Sequence, residues 1–121
     1  MKIVKFEDIL SWQKAQNFAL ELYDAFDNLK DYEFKKQILS ASISISNNIA
    51  EGFDRSSNND FIRFLFYAIS SNSEVRSMLY LALGRKYITQ DQFEDFQSKS
   101  IEIARLISGL IKSLKPKPPV I

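Results

Sequence analysis

From Met1 to Lys115 the chain contains no proline; its three prolines are Pro116, Pro118 and Pro119, and it has only three glycines in 121 residues. Proline and glycine are the residues that end helices and turn chains between strands, so a run this long with so few of them has room for a few long helices. One domain is enough for a chain of this length, and residues 1–115 are expected to form it. Residues 116–121, KPKPPVI from Lys115 onward, read as a flexible proline-rich tail. Apolar residues at 45% and charged residues at 26% are ordinary for a globular chain and exclude the disordered and fibrous classes.

Hydrophobic spacing places four helices. Trp12, Ala15, Ala19, Leu22, Phe26 and Leu29 alternate three and four apart, one stripe of a helix over about 8–28. Asp31 is a fitting N-cap for a second helix, about 32–52, with the stripe Phe34, Ile38, Ala41, Ile45, Asn48, Gly52. The alternation SISIS inside it resembles a strand, but a lone five-residue strand among long helical patterns has nothing to pair with. The polar run DRSSNND makes a turn, and Ser57 or Asn58 caps a third helix over 58–84, with Gly84 placed to stop it. Thr89 with Gln92 reads as a capping box opening a fourth helix over 90–115. Short connections make each helix antiparallel to the last. The predicted fold is all-α, an up-down-up-down antiparallel four-helix bundle with the shallow left-handed crossing that strict three-four spacing favours.

The chemistry open to such a chain is narrow. With no cysteine and no histidine it excludes disulfides, thiolate and imidazole metal sites, and every catalytic triad that needs either residue. Glu51 and Glu74 alone fall far short of the ligand set of a di-iron bundle, and no nucleophile or glycine loop accompanies them. No metal, cofactor, small-molecule substrate or enzymatic activity is therefore expected. A net charge of +1 gives no bulk pull towards nucleic acid or membrane. No stretch reaches the roughly 18 apolar residues that a span requires, and acids interrupt the N-terminal segment where a signal peptide needs an apolar run. A cytoplasmic protein is expected.

Three groups of residues remain to be explained. In the third helix 15 of the 23 residues from Phe61 to Leu83 are apolar, more than one face of a bundle can bury. Ile62, Phe66, Ile69, Tyr80 and Leu83 on its second face predict self-association. Asn48 and Asn72 fall on core stripes, so a polar seam is expected in which their amides bond to each other, to Ser44 or Ser71, or to Glu51 or Glu74. Basic groups at Arg55, Arg63, Arg85, Lys86, Lys112 and Lys115 are individually ordinary, but repeated around a ring of identical subunits they become a multivalent surface for phosphates.

The run SISISNNIAEG with Arg55 after it, then FIRFL, Ala68, Ser71, Glu74, Tyr87-Ile88 and RLISGLIKSLK, together with Phe6, Trp12, Ala15 and Tyr23, resembles a known family over roughly residues 6–115. It is similar to the bacterial four-helix-bundle proteins encoded in intervening sequences of 23S ribosomal RNA genes, which are related to accessory proteins of diversity-generating retroelements. Its most specific element is the Asn-Ile-Ala-Glu-Gly of residues 48–52, and it departs from the family pattern at Ser46, Asn47 and Ser70. The resemblance implies a homopentamer with a central channel and no enzymatic reaction. The functional expectation is a non-enzymatic homo-oligomeric scaffold that binds RNA or another nucleic acid. The competing expectation is a protein–protein assembly adaptor that binds none.

Overall fold

The computed structural model describes residues 2–117, so the part of the expected tail at residues 118–121 lies outside the described residues. A 3-10 turn at Phe6–Asp8 leads into four helices: α1 (Leu10–Phe26), α2 (Tyr32–Phe53), α3 (Asn58–Gly84) and α4 (Gln90–Leu114). Among the described residues there is no strand. Each helix packs on the next, α4 closes against α1, and the result is an antiparallel four-helix bundle. The α2–α3 contact is the most extensive and the α1–α4 contact the thinnest.

Local chemistry sets most of the helix ends. The Asp31 side chain accepts from the Phe34 N–H at 3.2 Å and Ser57 accepts from the Asp60 N–H at 3.2 Å, each satisfying an otherwise orphan donor of the first turn. Thr89 and Gln92 form the reciprocal capping box, at 2.8 and 3.1 Å. α1 begins at Leu10 rather than near Asp8, because Asp8 belongs to the 3-10 turn and Ile9 then takes extended backbone angles with no side-chain cap.

The SISIS segment is helical, and α2 runs unbroken through Ser46 and Asn47. Its hydroxyls turn inward onto the helix's own carbonyls, Ser42 Oγ donating to Leu39 O at 2.8 Å and Ser46 Oγ to Ile43 O at 3.3 Å. Buried serines thereby cost little. Gln16 of α1 donates to Ser46 Oγ at 2.9 Å, a second bond for the same hydroxyl.

α3 ends at Gly84, as the sequence predicts. Gly84 is the last helical residue and has no positive φ; the left-handed position falls on Lys86, at φ 62°. Tyr87 N–H bonds Ala82 O at 2.8 Å and Lys86 N–H bonds Leu83 O at 3.0 Å, the pair of bonds that defines a Schellman C-cap with a lysine where glycine is usual.

Phe18, Leu22 and Phe26 from α1, Ile38, Ile45 and Ile49 from α2, Leu65, Val75 and Leu79 from α3, and Ile103 and Ile107 from α4 fill one continuous core. Along the thin α1–α4 contact, Lys14 pairs with Glu102 at 3.4 Å and Lys99 bridges Glu21 and Asp95. These are partly exposed surface pairs of ~0–1 kcal/mol each, so the seam rests mainly on its apolar contacts. Among the described residues no helix is long and apolar enough to cross a membrane.

Candidate nucleic-acid interface

The α2–α3 turn brings together two of the six candidate basic residues around one ring. The Arg55 guanidinium lies 4.5 Å from the centroid of Phe64, and that of Arg63 lies 5.1 Å from the same ring. Tyr67 meets Phe64 edge-on at 5.6 Å, accepts a bond from Arg63 Nη1 at 3.2 Å, and has the guanidinium 5.8 Å from its centroid. The cluster forms because Arg63, Phe64 and Tyr67 fall three and four apart on α3, and Gly52 lets the turn come in close. A Cβ at Gly52 would stand 2.7 Å from Phe64 Cβ and 3.0 Å from Phe61 Cδ1, so only glycine permits this approach.

Stacking on aromatic faces fixes the two guanidiniums while leaving N–H edges available to an anion. Arg63 also pairs with Asp60 at 3.3 Å, and its pKa is raised first by the Tyr67 bond and then by Asp60. For the Arg55 side chain the structure gives only the ring contact among the described residues. Glu51, Asp54 and Asp60 stand nearby, so the turn is a mixed surface with fixed cations rather than a broad positive field.

Asn58 Nδ2 donates to Leu114 O at 3.5 Å, which sets the C-terminus of α4 beside the start of α3 and places Lys112 and Lys115, both exposed, at the same end of the bundle. Arg85 and Lys86 lie at the far end, about 30–40 Å away along α3. The six residues are therefore not one patch in a single chain. At that far end Lys86 serves the C-cap, and Arg85 lies 5.8 Å from the Tyr87 ring. Tyr87 donates to Asp31 Oδ2 at 2.6 Å, and with the Phe34 N–H bond this holds the Asp31 carboxyl below the usual aspartate range.

The polar seam divides in two. Asn72, buried at 2% exposure, faces α4: its Nδ2 donates to Ser100 O and its Oδ1 accepts from Ser100 Oγ, both at 2.9 Å. Asn48 is half-buried and bonds within α2, to Ser44 O at 2.8 Å and Ser44 Oγ at 2.9 Å, and Ser71 Oγ donates across to Ser44 Oγ at 2.9 Å. Asn48 and Asn72 do not pair, because Ile45 and Ile49 occupy the core-facing positions of α2. Glu74 accepts from Gln37 at 3.3 Å, and Glu51 is exposed. Among the described residues no three Asp or Glu side chains gather as a metal site would require.

Of the five apolar residues on the second face of α3, Phe66 is 49% and Tyr80 63% exposed, while Ile62, Ile69 and Leu83 are half-buried. Leu81, 60% exposed, and Tyr67 lie on the same outward side and escaped the stripe reading. Phe64 and Tyr67 were likewise missed as a platform, although the unbroken apolar run FIRFLFYAI around a single arginine was the available signal.

No curated protein matches the chain. Among solved structures it is similar to a protein of unknown function from the S23 ribosomal protein family of Bacteroides thetaiotaomicron, with 31% identity, a TM-score of 0.79, and coverage of 85% of this chain and 96% of that one. A family model described as 23S rRNA-intervening sequence protein matches residues 7–109, nearly the whole bundle from the 3-10 turn to the last turns of α4, and the chain belongs to that family.

Proposed function

We propose that the protein is a non-catalytic scaffold that self-associates, as a ring of five by the family resemblance, and binds RNA through phosphate contacts at the end of the bundle carrying Arg55, Arg63, Lys112 and Lys115. The observation that carries the reading is the pair of guanidiniums held on the Phe64 ring, at 4.5 and 5.1 Å. Two cations on one small ring repel each other, and a bound phosphate relieves that repulsion. Repetition around an assembly multiplies a weak single-chain surface. The exposed Phe66, Tyr80 and Leu81 supply the apolar area for assembly.

Fluorescence anisotropy of a labelled structured RNA, titrated with protein at several salt concentrations, tests this. Binding should weaken steeply with salt, and Arg55→Ala should reduce the slope of log affinity against log salt by ~1 per site. No binding at low salt by the intact assembly would leave the protein-adaptor reading in its place.

A further inference from the structure

We infer that the α2–α3 turn takes unpaired RNA, one nucleotide of which lays its base on the open face of Tyr67 while its phosphate sits at the Arg55 and Arg63 guanidiniums. This rests on the RNA reading above and adds which form of RNA the site selects.

The two rings of the cluster differ in what they have left to offer. Phe64 is half-buried, abuts α2 at Gly52, and carries the two guanidiniums at 4.5 and 5.1 Å. Cations already cover that ring. Tyr67 is 45% exposed and is held by its margins: its hydroxyl accepts from Arg63 Nη1 at 3.2 Å, and it meets Phe64 edge-on at an interplanar angle of 74°. The Arg63 guanidinium, bonded at the hydroxyl, stands 5.8 Å from the Tyr67 centroid and leaves the ring open. A ring fixed in orientation with a face in solvent is a stacking surface that loses little freedom when a base lies on it.

Tyr67 belongs with the phosphate site and not with the Phe66 and Tyr80 face. It lies about 100° around α3 from Phe66. It is also three residues after Phe64 and four before Ser71, both of which touch α2. Arg63 contacts both rings, so the phosphate position and the base position are neighbours that the sugar of a single nucleotide joins.

Charge favours the single strand as well. Double-stranded RNA is held mostly by shape and by phosphate and sugar contacts spread over many base pairs. Here Glu51, Asp54 and Asp60 interrupt the cations, and Arg85 and Lys86 lie at the other end of the bundle, so one chain offers no such track. Bases inside a duplex are stacked on one another and cannot reach Tyr67 without leaving the helix. A nucleotide in a loop, bulge or free end needs only one aromatic face and the cations beside it.

Two variants separate the ring from its hydroxyl. Tyr67→Phe and Tyr67→Leu both lose the bond to Arg63, and only Tyr67→Leu loses the ring; the position is exposed, so both should fold, which circular dichroism checks. Anisotropy of a labelled oligouridine, alone and paired with its oligoadenylate complement, is measured at several salt concentrations. The unmodified protein should bind the single strand more tightly than the duplex. Tyr67→Leu should bind the single strand ~10-fold more weakly than Tyr67→Phe, with the same slope of log affinity against log salt, because stacking releases no counterions. On the duplex the two variants should not differ. A duplex bound as tightly as the single strand, or equal affinities of the two variants for the single strand, would overturn the inference and leave salt-dependent binding through Arg55 and Arg63 standing. A difference between the variants that lies in the slope would assign Tyr67 to holding Arg63 and overturn the stacking role. No binding of either RNA at low salt by the unmodified protein would remove the RNA reading as well.

Discussion

Asn72 and Ser100 satisfy one another across the α3–α4 interface, the amide giving a proton to the serine carbonyl and taking one from its hydroxyl, both at 2.9 Å and both out of contact with water. Removing the Asn72 side chain leaves the Ser100 hydroxyl without its acceptor, and removing that hydroxyl leaves Asn72 Oδ1 without its donor, in each case within an apolar core. Asn72→Ala is expected to cost ~1–3 kcal/mol in urea unfolding. Asn72→Ala and Ser100→Ala together should cost clearly less than the sum of the two, because the second change removes a group the first has already orphaned. Asn48→Ala, by contrast, loses bonds within its own helix at a half-buried position and should cost ~1 kcal/mol or less. Equal effects at 48 and 72 would contradict this assignment of the two amides.

Gly52 is the position where the motif Asn-Ile-Ala-Glu-Gly becomes a packing requirement. A methyl group there meets Phe64 Cβ at 2.7 Å, a rigid atom next to the backbone, so α2 and α3 must separate. Gly52→Ala should destabilise by ~1–3 kcal/mol despite its better helix propensity. It should also displace Phe64 and weaken whatever Arg55 and Arg63 hold. Thermal unfolding of the variant checks the first effect, and an unchanged or raised melting temperature would show that the helices are not that close.

Lys86 occupies a left-handed position for which a side chain is a penalty. Lys86→Gly should therefore stabilise by ~1 kcal/mol in chemical denaturation, with the two C-cap bonds retained. A loss of stability would mean that the lysine side chain makes a contact worth more than the strain.

The Asp31 carboxyl is held below the usual aspartate range first by the Tyr87 hydroxyl, then by the Phe34 N–H. A carboxylate with a lowered folded value stabilises the fold above the unfolded value of about 4, and that contribution disappears as pH falls through the folded value. Tyr87→Phe removes the largest cause. Between pH 7 and pH 3 the melting temperature of the Tyr87→Phe variant should fall less than that of the unmodified protein. Parallel curves would mean that the Tyr87–Asp31 bond does not persist in solution.

The bundle was legible because four apolar stripes of period 3.6 are separated by polar turns carrying Asp31, Ser57 and Thr89, and each of these residues caps the helix it precedes. What spacing could not reveal was rotation within a helix. Asn48 and Ile49 are both compatible with the α2 stripe, and the choice between them depends on how α2 sits between α1 and α3. Ser100 is a buried position of α4, yet nothing local marks it as the partner of a residue 28 positions earlier. Gly84 marked where α3 ends, but nothing in the sequence marked Lys86, two residues on, as the left-handed position of the cap. The division of the basic residues between two ends follows from helix lengths and became visible only once the antiparallel order was in place.

On the proposed reading, identical chains assemble and, once assembled, hold RNA through the Arg55–Phe64–Arg63 end. Sedimentation velocity on the protein mixed with a dye-labelled structured RNA reads both parts at once. At low salt the RNA should move with protein at a mass several times the 14.0 kDa of one chain, and with added salt it should separate from protein that stays assembled. RNA sedimenting alone at every salt concentration, or protein at the mass of a single chain, would contradict the claim.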